Sequence, residues 1–153
     1  QAARYGDTIL IDEYVRGREL TVGVLGMQAL PVIEVIPKHN FFDFSAKYTV
    51  GLTEYRVPAE VPQAVAKRAQ AVGRRAHQSL GCRHLSRTDL ILDAAGRNVV
   101  LEVNTIPGFT PTSLLPKAAA CIGISYGALC SEIVRMALKK TERRAAATLA
   151  RSR

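Results

Sequence analysis

Leu101-Glu102-Val103-Asn104-Thr105-Ile106-Pro107-Gly108-Phe109-Thr110, together with Ser86-Arg87-Thr88-Asp89, is the most informative part of the chain. Residues 85–93 and 98–104 are rich in branched apolar side chains and flank Ala94-Ala95-Gly96-Arg97, which predicts a β-hairpin closed by a short Gly-containing turn. With the turn centred between Ala95 and Gly96, Asp89 falls opposite Glu102 and Arg87 opposite Asn104. Strand periodicity puts all four on one face. The other face is expected to carry Leu90, Leu92, Val99, Leu101 and Val103, an apolar surface for a core.

Two carboxylates directly across a ladder have Cβ atoms about 5 Å apart, an unfavourable arrangement for like charges unless something offsets it. An Asp, a Glu and an Asn carbonyl converging there make a hard, all-oxygen site of the kind that suits magnesium, whose remaining positions are filled by water and substrate phosphates. A neighbouring arginine adds a fixed cation for phosphate or for a developing oxyanion. The competing reading is a solvated strand face with a surface ion pair.

After Asn104 the chain runs Thr105-Ile106-Pro107-Gly108-Phe109-Thr110-Pro111-Thr112-Ser113-Leu114-Leu115-Pro116. This stretch resembles the C-terminal signature of the D-alanine–D-alanine ligases, ATP-grasp carboxylate–amine ligases. Asp12-Glu13-Tyr14-Val15-Arg16-Gly17-Arg18-Glu19-Leu20-Thr21-Val22, Phe41 to Tyr48, Thr53-Glu54-Tyr55, Pro58-Ala59, Leu80 to Arg83 and Ala118 to Gly123 also resemble family segments, in family order. The likeness covers about Ile9 to Leu138.

The resemblance implies roles. Asp12, Glu13 and Val15 match residues that hold the adenine edge, and Glu19 matches the one that takes the ribose hydroxyls. Lys47 matches a lysine that reaches nucleotide phosphate from a loop, and Tyr48 a tyrosine that helps close that loop. Asp89, Glu102 and Asn104 match the ligands of two magnesium ions, for which manganese can substitute. Arg87 and the Gly108 backbone N–H match the groups that stabilise the tetrahedral intermediate. Ser113 and Leu114 match positions that receive the carboxylate of the second D-alanine. The implied reaction uses ATP to form an acyl phosphate on one D-alanine, which the amine of a second then attacks. Its product serves peptidoglycan synthesis, and hence cell-wall biogenesis and cell shape.

Competing readings accompany these. Glu19 is also explicable as an exposed strand residue, Lys47 and Tyr48 as ordinary loop residues, and Ser113 as the N-cap of a helix starting near Leu114, a reading compatible with carboxylate binding. His39, His77 and His84 show no metal-ligand spacing and read as structural or solvated. Four departures from the family pattern stand out: His84 where glycine is common, Phe109 where methionine is usual, and Phe42 and Phe44 where lid tyrosines are common.

The expected fold class is α+β, an ATP-grasp C-terminal part with a mostly antiparallel sheet and packed helices. Strands are expected near 8–15, 18–25 and 30–36, then a loop from Pro37 to about Thr53. A helix over 61–80 carries Val61, Val65, Ala69, Val72, Ala76 and Leu80 at helical spacing and stops at Gly81. The hairpin follows, then a helix near 114–122 and a longer one from Ser125 or Tyr126 to about Arg144, with Leu129, Ile133 and Met136/Ala137 inward.

Residues 1–138 are expected to form the C-terminal ATP-grasp catalytic portion and 139–153 a basic helical extension or tail. Family members are about twice this length, and the chain enters the resemblance in mid-domain with no initiating methionine. The phosphate loop, two lysines and the first D-alanine site belong to the missing N-terminal portion, so the chain alone is expected to be inactive. One half of a split ligase, or an isolated nucleotide- and metal-binding module, is the alternative. A D-alanine–D-lactate ligase is a further one, although Lys47-Tyr48 favours D-alanine. Full-length family members are commonly homodimers.

The 153 residues, 48% hydrophobic, suffice for one sizeable core. No apolar run reaches the roughly 18 residues of a membrane span, and three cysteines, Cys82, Cys121 and Cys130, form no CxxC pair, as expected of a reduced, cytoplasmic protein. Residues 139–153 contribute +5 of the net +8. A basic tail can contact nucleic acid, but a solvated helix extension is the reading preferred over a nucleic-acid-binding module.

Overall fold

Strand β1 (Gly17–Leu25) is the spine of the fold, because its two faces read as two different surfaces. Leu20, Val22 and Val24 alternate with Glu19, Thr21 and Gly23, so one face is aliphatic and the other polar or bare. In the computed structural model, which describes residues 4–37 and 53–151 with side chains as far as Lys139, β1 lies mid-sheet. The other strands are β2 (Gln28–Ala29), β3 (Ile33–Pro37), β4 (Thr53–Arg56), β5 (Leu85–Asp93) and β6 (Asn98–Asn104). The order is β4-β3-β1-β5-β6, with β2 paired to β1 and every pairing antiparallel. Three helices complete the described fold: α1 (Gln63–Ser79), α2 (Leu114–Ala120) and α3 (Tyr126–Arg151).

Helix α1 covers the aliphatic face. Leu20, Val22, Val32, Leu90 and Leu92 pack there against Ala69, with Val61, Val65, Ala66 and Val72 around them. Close approach requires Gly73, where an added Cβ would lie 2.8 Å from Val22 Cβ. The helix ends in a Schellman arrangement. Gly81, at φ +61°, donates to Gln78 O, and Cys82 N donates to His77 O. Leu80, expected inward by periodicity, is the C-cap residue itself and is 66% exposed.

A second core forms on the opposite face, but only over the end of the sheet near Leu25 and Ile33. Leu25, Leu30 and Ile33 meet Leu115, Ala118 and Ala119 of α2 and Leu129 of α3, with Ile133 and Met136 alongside. The rest of that face, holding Glu19, Thr21, Arg87, Asp89, Glu102 and Asn104, is left without a helix over it among the described residues.

The hairpin pairs Asp89 with Glu102 and Arg87 with Asn104, the expected register. It reaches that register by an unexpected route. Nearer the turn, Leu92 pairs with Asn98 and Leu90 with Val100, one residue out of step, and a β-bulge beside Leu90 corrects the offset. The extra residue is Leu101, which is 54% exposed rather than on the core face. Val100, not Leu101, stands opposite buried Leu90, and Val99, expected on the core face, pairs instead with Ile91.

The expected strand over 8–15 is absent. Residues 8–16 pair with no described strand, and Leu10, Ile11 and Tyr14 are exposed, so their apolar character does not translate into sheet. Strand β4 was not anticipated; its short TEYR sequence gives little alternation to read. It pairs with β3. Between these strands a buried Glu34 accepts two hydrogen bonds from Arg18, at 2.6 and 2.7 Å, and Arg18 also donates to Glu60 O.

His77 is buried beneath β5, its Nδ1 2.7 Å from Ser86 Oγ. Burial lowers its pKa from the ordinary 6.5. Below pH 6.5 the unfolded chain therefore takes up a proton that the folded chain refuses. This contribution to stability is complete above that pH and is lost as pH falls toward the depressed folded value, with a slope of at most about 1.4 kcal/mol per pH unit. Denaturant unfolding between pH 7.5 and 5 should show the decline in the parent and a flatter profile in His77→Gln.

Candidate functional site

Every polar side chain at the uncovered strip is aimed by strand alternation. On β5, Ser86, Thr88 and Leu90 point into the α1 core, so Arg87 and Asp89 point the other way. Arg87 Nε and Nη2 donate to the two oxygens of Asp89 at 2.8 and 2.7 Å, a bidentate pair with side chains only 12% and 15% exposed. Burial opposes the charge on Arg87. The Asp89 hydrogen bonds and the charges of Asp89, Glu102 and Glu19 outweigh it, and its pKa is raised.

Across the ladder, Asn104 Nδ2 donates to Asp89 Oδ2 at 3.1 Å and to Glu102 Oε1 at 3.0 Å. One donor atom thus bridges both carboxylates, which marks a point where a single positive centre serves both. Among the described residues no three His, Cys, Asp or Glu side chains converge into a metal cluster. A cation here would be held by two carboxylates and an amide oxygen, a hard and incomplete set that suits magnesium with water or phosphate completing the octahedron. The residues fit that ion.

Glu19 lies on the same face, opposite Ile91 and two residue pairs along the ladder from Thr21 and Asp89. Asp12 and Glu13 are exposed and Val15 half-buried in the unpaired stretch before β1. Lys47, Tyr48 and the aromatic run from Phe41, as well as His39, lie outside the described residues.

The loop after β6 forms one border of the strip. The Gly108 N–H has no intramolecular acceptor among the described residues. A Cβ on Gly108 would lie 3.3 Å from Ser113 Oγ. Ser113 occupies the N-cap of α2 but does not cap it with its side chain. Its hydroxyl instead accepts the Thr110 N–H at 3.0 Å and meets Thr110 Oγ1 at 2.8 Å, closing the loop on itself. Leu114 packs against the second core. Tyr126 of α3 donates to Phe109 O at 3.0 Å, with the two rings 5.6 Å apart.

Sequence reasoning missed Thr21 and Tyr126. Thr21 is buried, and its hydroxyl donates to Asp89 Oδ1 at 2.6 Å. The available signal was a lone threonine in the alternation of Leu20 to Val24. For Tyr126 there was none, since the contact spans two elements. His84 has φ +67°, a left-handed conformation that disfavours a side chain and suits glycine.

The family model for the D-ala D-ala ligase C-terminus matches residues 1–135. The chain belongs to that ligase C-terminal family. Among curated ligase relatives, the D-alanine–D-alanine ligase of Gluconobacter oxydans is 51% identical over 140 residues, covering 90% of this chain. A ligase of Bacillus anthracis, solved in complex with ATP, superposes with TM-score 0.71 at 28% identity and covers 86% of this chain. VanG D-Ala:D-Ser ligase of Enterococcus faecalis gives TM-score 0.71 at 32% identity over 81%. The matches take up 46%, 41% and 37% of those proteins, so this ligase C-terminus spans under half the length of each.

Proposed function

We propose that this chain is the C-terminal catalytic portion, residues 1–138, of an ATP-dependent D-alanine–D-alanine ligase, with 139–153 as a basic helical extension. The observation that carries the reading is the Arg87–Asp89–Glu102–Asn104 cluster, bordered by the Gly108–Leu114 loop, in a chain of this ligase family.

In this reading Asp12, Glu13 and Val15 hold adenine, Glu19 the ribose and Lys47 a phosphate, with Tyr48 closing over them. Asp89, Glu102 and Asn104 hold magnesium, which would neutralise phosphate charge. Phosphoryl transfer depends mainly on positioning and charge neutralisation. Arg87, paired with Asp89, supplies a positive charge at the developing oxyanion, and the unengaged Gly108 N–H donates beside it. The Ser113 hydroxyl and Leu114 backbone receive the acceptor's carboxylate. Three free cysteines fit a reducing cytoplasm, and no described helix is long and apolar enough to cross a membrane. The product would feed peptidoglycan synthesis, and the complete enzyme, with its N-terminal portion, would be a homodimer.

The test is a graft. The chain replaces the matched region of the Gluconobacter oxydans ligase, and phosphate release and dipeptide formation are followed with ATP, magnesium and D-alanine. D-alanine-dependent release by the chimera, with none from the 153-residue chain alone, is the expected result. A folded chimera that consumes no ATP with D-alanine overturns the assignment. Because one similar structure is a D-Ala:D-Ser ligase, D-serine and D-lactate are run as competing acceptors.

A further inference from the structure

The Asp89 carboxylate has about four acceptor positions, and all are taken. Oδ1 receives Thr21 Oγ1 at 2.6 Å and Arg87 Nε at 2.8 Å, while Oδ2 receives Arg87 Nη2 at 2.7 Å and Asn104 Nδ2 at 3.1 Å. A cation approaching Asp89 must displace one donor. Asn104 is the one placed to yield, since its two bonds are the longest of those made to the two carboxylates and rotating its amide presents an oxygen instead. Thr21 is the opposite case. It is 2% exposed in the mid-sheet strand, faces Asp89 directly in register, and makes the shortest bond to it. Its single proton has one other acceptor in reach, Thr88 O at the longer distance of 3.3 Å.

We propose that Thr21 is the positioning residue for Asp89: its hydroxyl fixes the carboxylate so that Oδ2 is offered toward Glu102 and Asn104 when Asn104 turns to admit a cation. The proposal rests on the magnesium reading above. Without Thr21, Arg87 alone orients Asp89. Arg87 reaches Asp89 from two residues along the same strand, so the pair can swing together. A hydroxyl from the neighbouring strand stops that motion.

The experiment is Mn2+ titration of the 153-residue chain followed by electron paramagnetic resonance, with Thr21→Val, Thr21→Ser and Glu102→Gln compared with the parent. Thr21→Val keeps the shape of the side chain and leaves Asp89 with three donors, so circular dichroism should show a folded chain. It is expected to weaken Mn2+ binding by about 10- to 100-fold, with Thr21→Ser within about 3-fold of the parent. Thr21→Val binding like the parent overturns the role of Thr21, and Thr21→Ser as weak as Thr21→Val overturns the hydroxyl as its cause. Glu102→Gln binding Mn2+ like the parent overturns the metal site itself, and the inference with it. Loss of binding in Glu102→Gln beside unchanged Thr21→Val isolates the failure to Thr21.

Discussion

Glu102→Gln is expected to lose metal-dependent nucleotide binding by about 100-fold or more while leaving the chain slightly more stable, two changes of opposite sign from one substitution. Glu102 is exposed on β6 directly opposite Asp89. Facing carboxylates repel, so removing one charge relieves a penalty of a few tenths of a kcal/mol up to about 1. The amide oxygen of glutamine still accepts the Asn104 hydrogen bond, so the local geometry survives. A bound divalent cation instead loses an ion pair worth about 3 kcal/mol or more at an effective dielectric constant near 20. Calorimetric titration of nucleotide with and without magnesium, beside a thermal melt, reads both effects. Nucleotide binding that keeps its magnesium dependence would count against the assignment of Glu102.

Arg87→Met should cost about 3 kcal/mol of folding stability, because breaking a buried pair leaves an uncompensated charge in place. Asp89 keeps Thr21 and Asn104 as donors, but neither carries a positive charge. Asp89→Asn in the Arg87→Met background removes the stranded charge and should recover most of the loss. The double-mutant cycle by urea denaturation therefore separates the missing guanidinium from the stranded carboxylate. A single-mutant loss under about 1 kcal/mol would place the pair with ordinary surface ion pairs. Magnesium should raise the stability of Arg87→Met more than that of the parent, since the cation supplies the charge that the arginine no longer does.

The hairpin and α1 were legible because each is specified locally: alternation and a glycine turn for the first, helical spacing and a Gly81 stop for the second. The family was legible from the run after Asn104, and the comparisons bear it out over residues 1–135. What could not be read depended on contacts between distant segments. Apolar residues at 9–11 resembled strand sequence, yet pairing requires a neighbour, and none of the described strands takes that place. The Leu101 bulge left no mark in composition, since an extra leucine extends an apolar run without disturbing it. Thr21 is 68 residues from Asp89 in the chain, and only the β1–β5 register joins them. Ser113 looked like a helix cap because its backbone is one; the direction of its hydroxyl was set by Thr110.

Leu20-Thr21-Val22 and Thr88-Asp89-Leu90 each place one residue of the cluster between two residues of the core. Binding and folding are therefore written in alternate letters of the same words. Such a text tolerates spelling changes, since an outward letter can be exchanged without repacking the inward ones. It does not tolerate changes of length, because a one-residue insertion or deletion exchanges the two meanings over the whole strand. Leu101 is the exception, an unpaired letter whose presence sets the two halves of the hairpin one residue apart while each keeps its own pairing. Removing it would join the two pairings directly, with Val100 still opposite Leu90 and Glu102 still opposite Asp89.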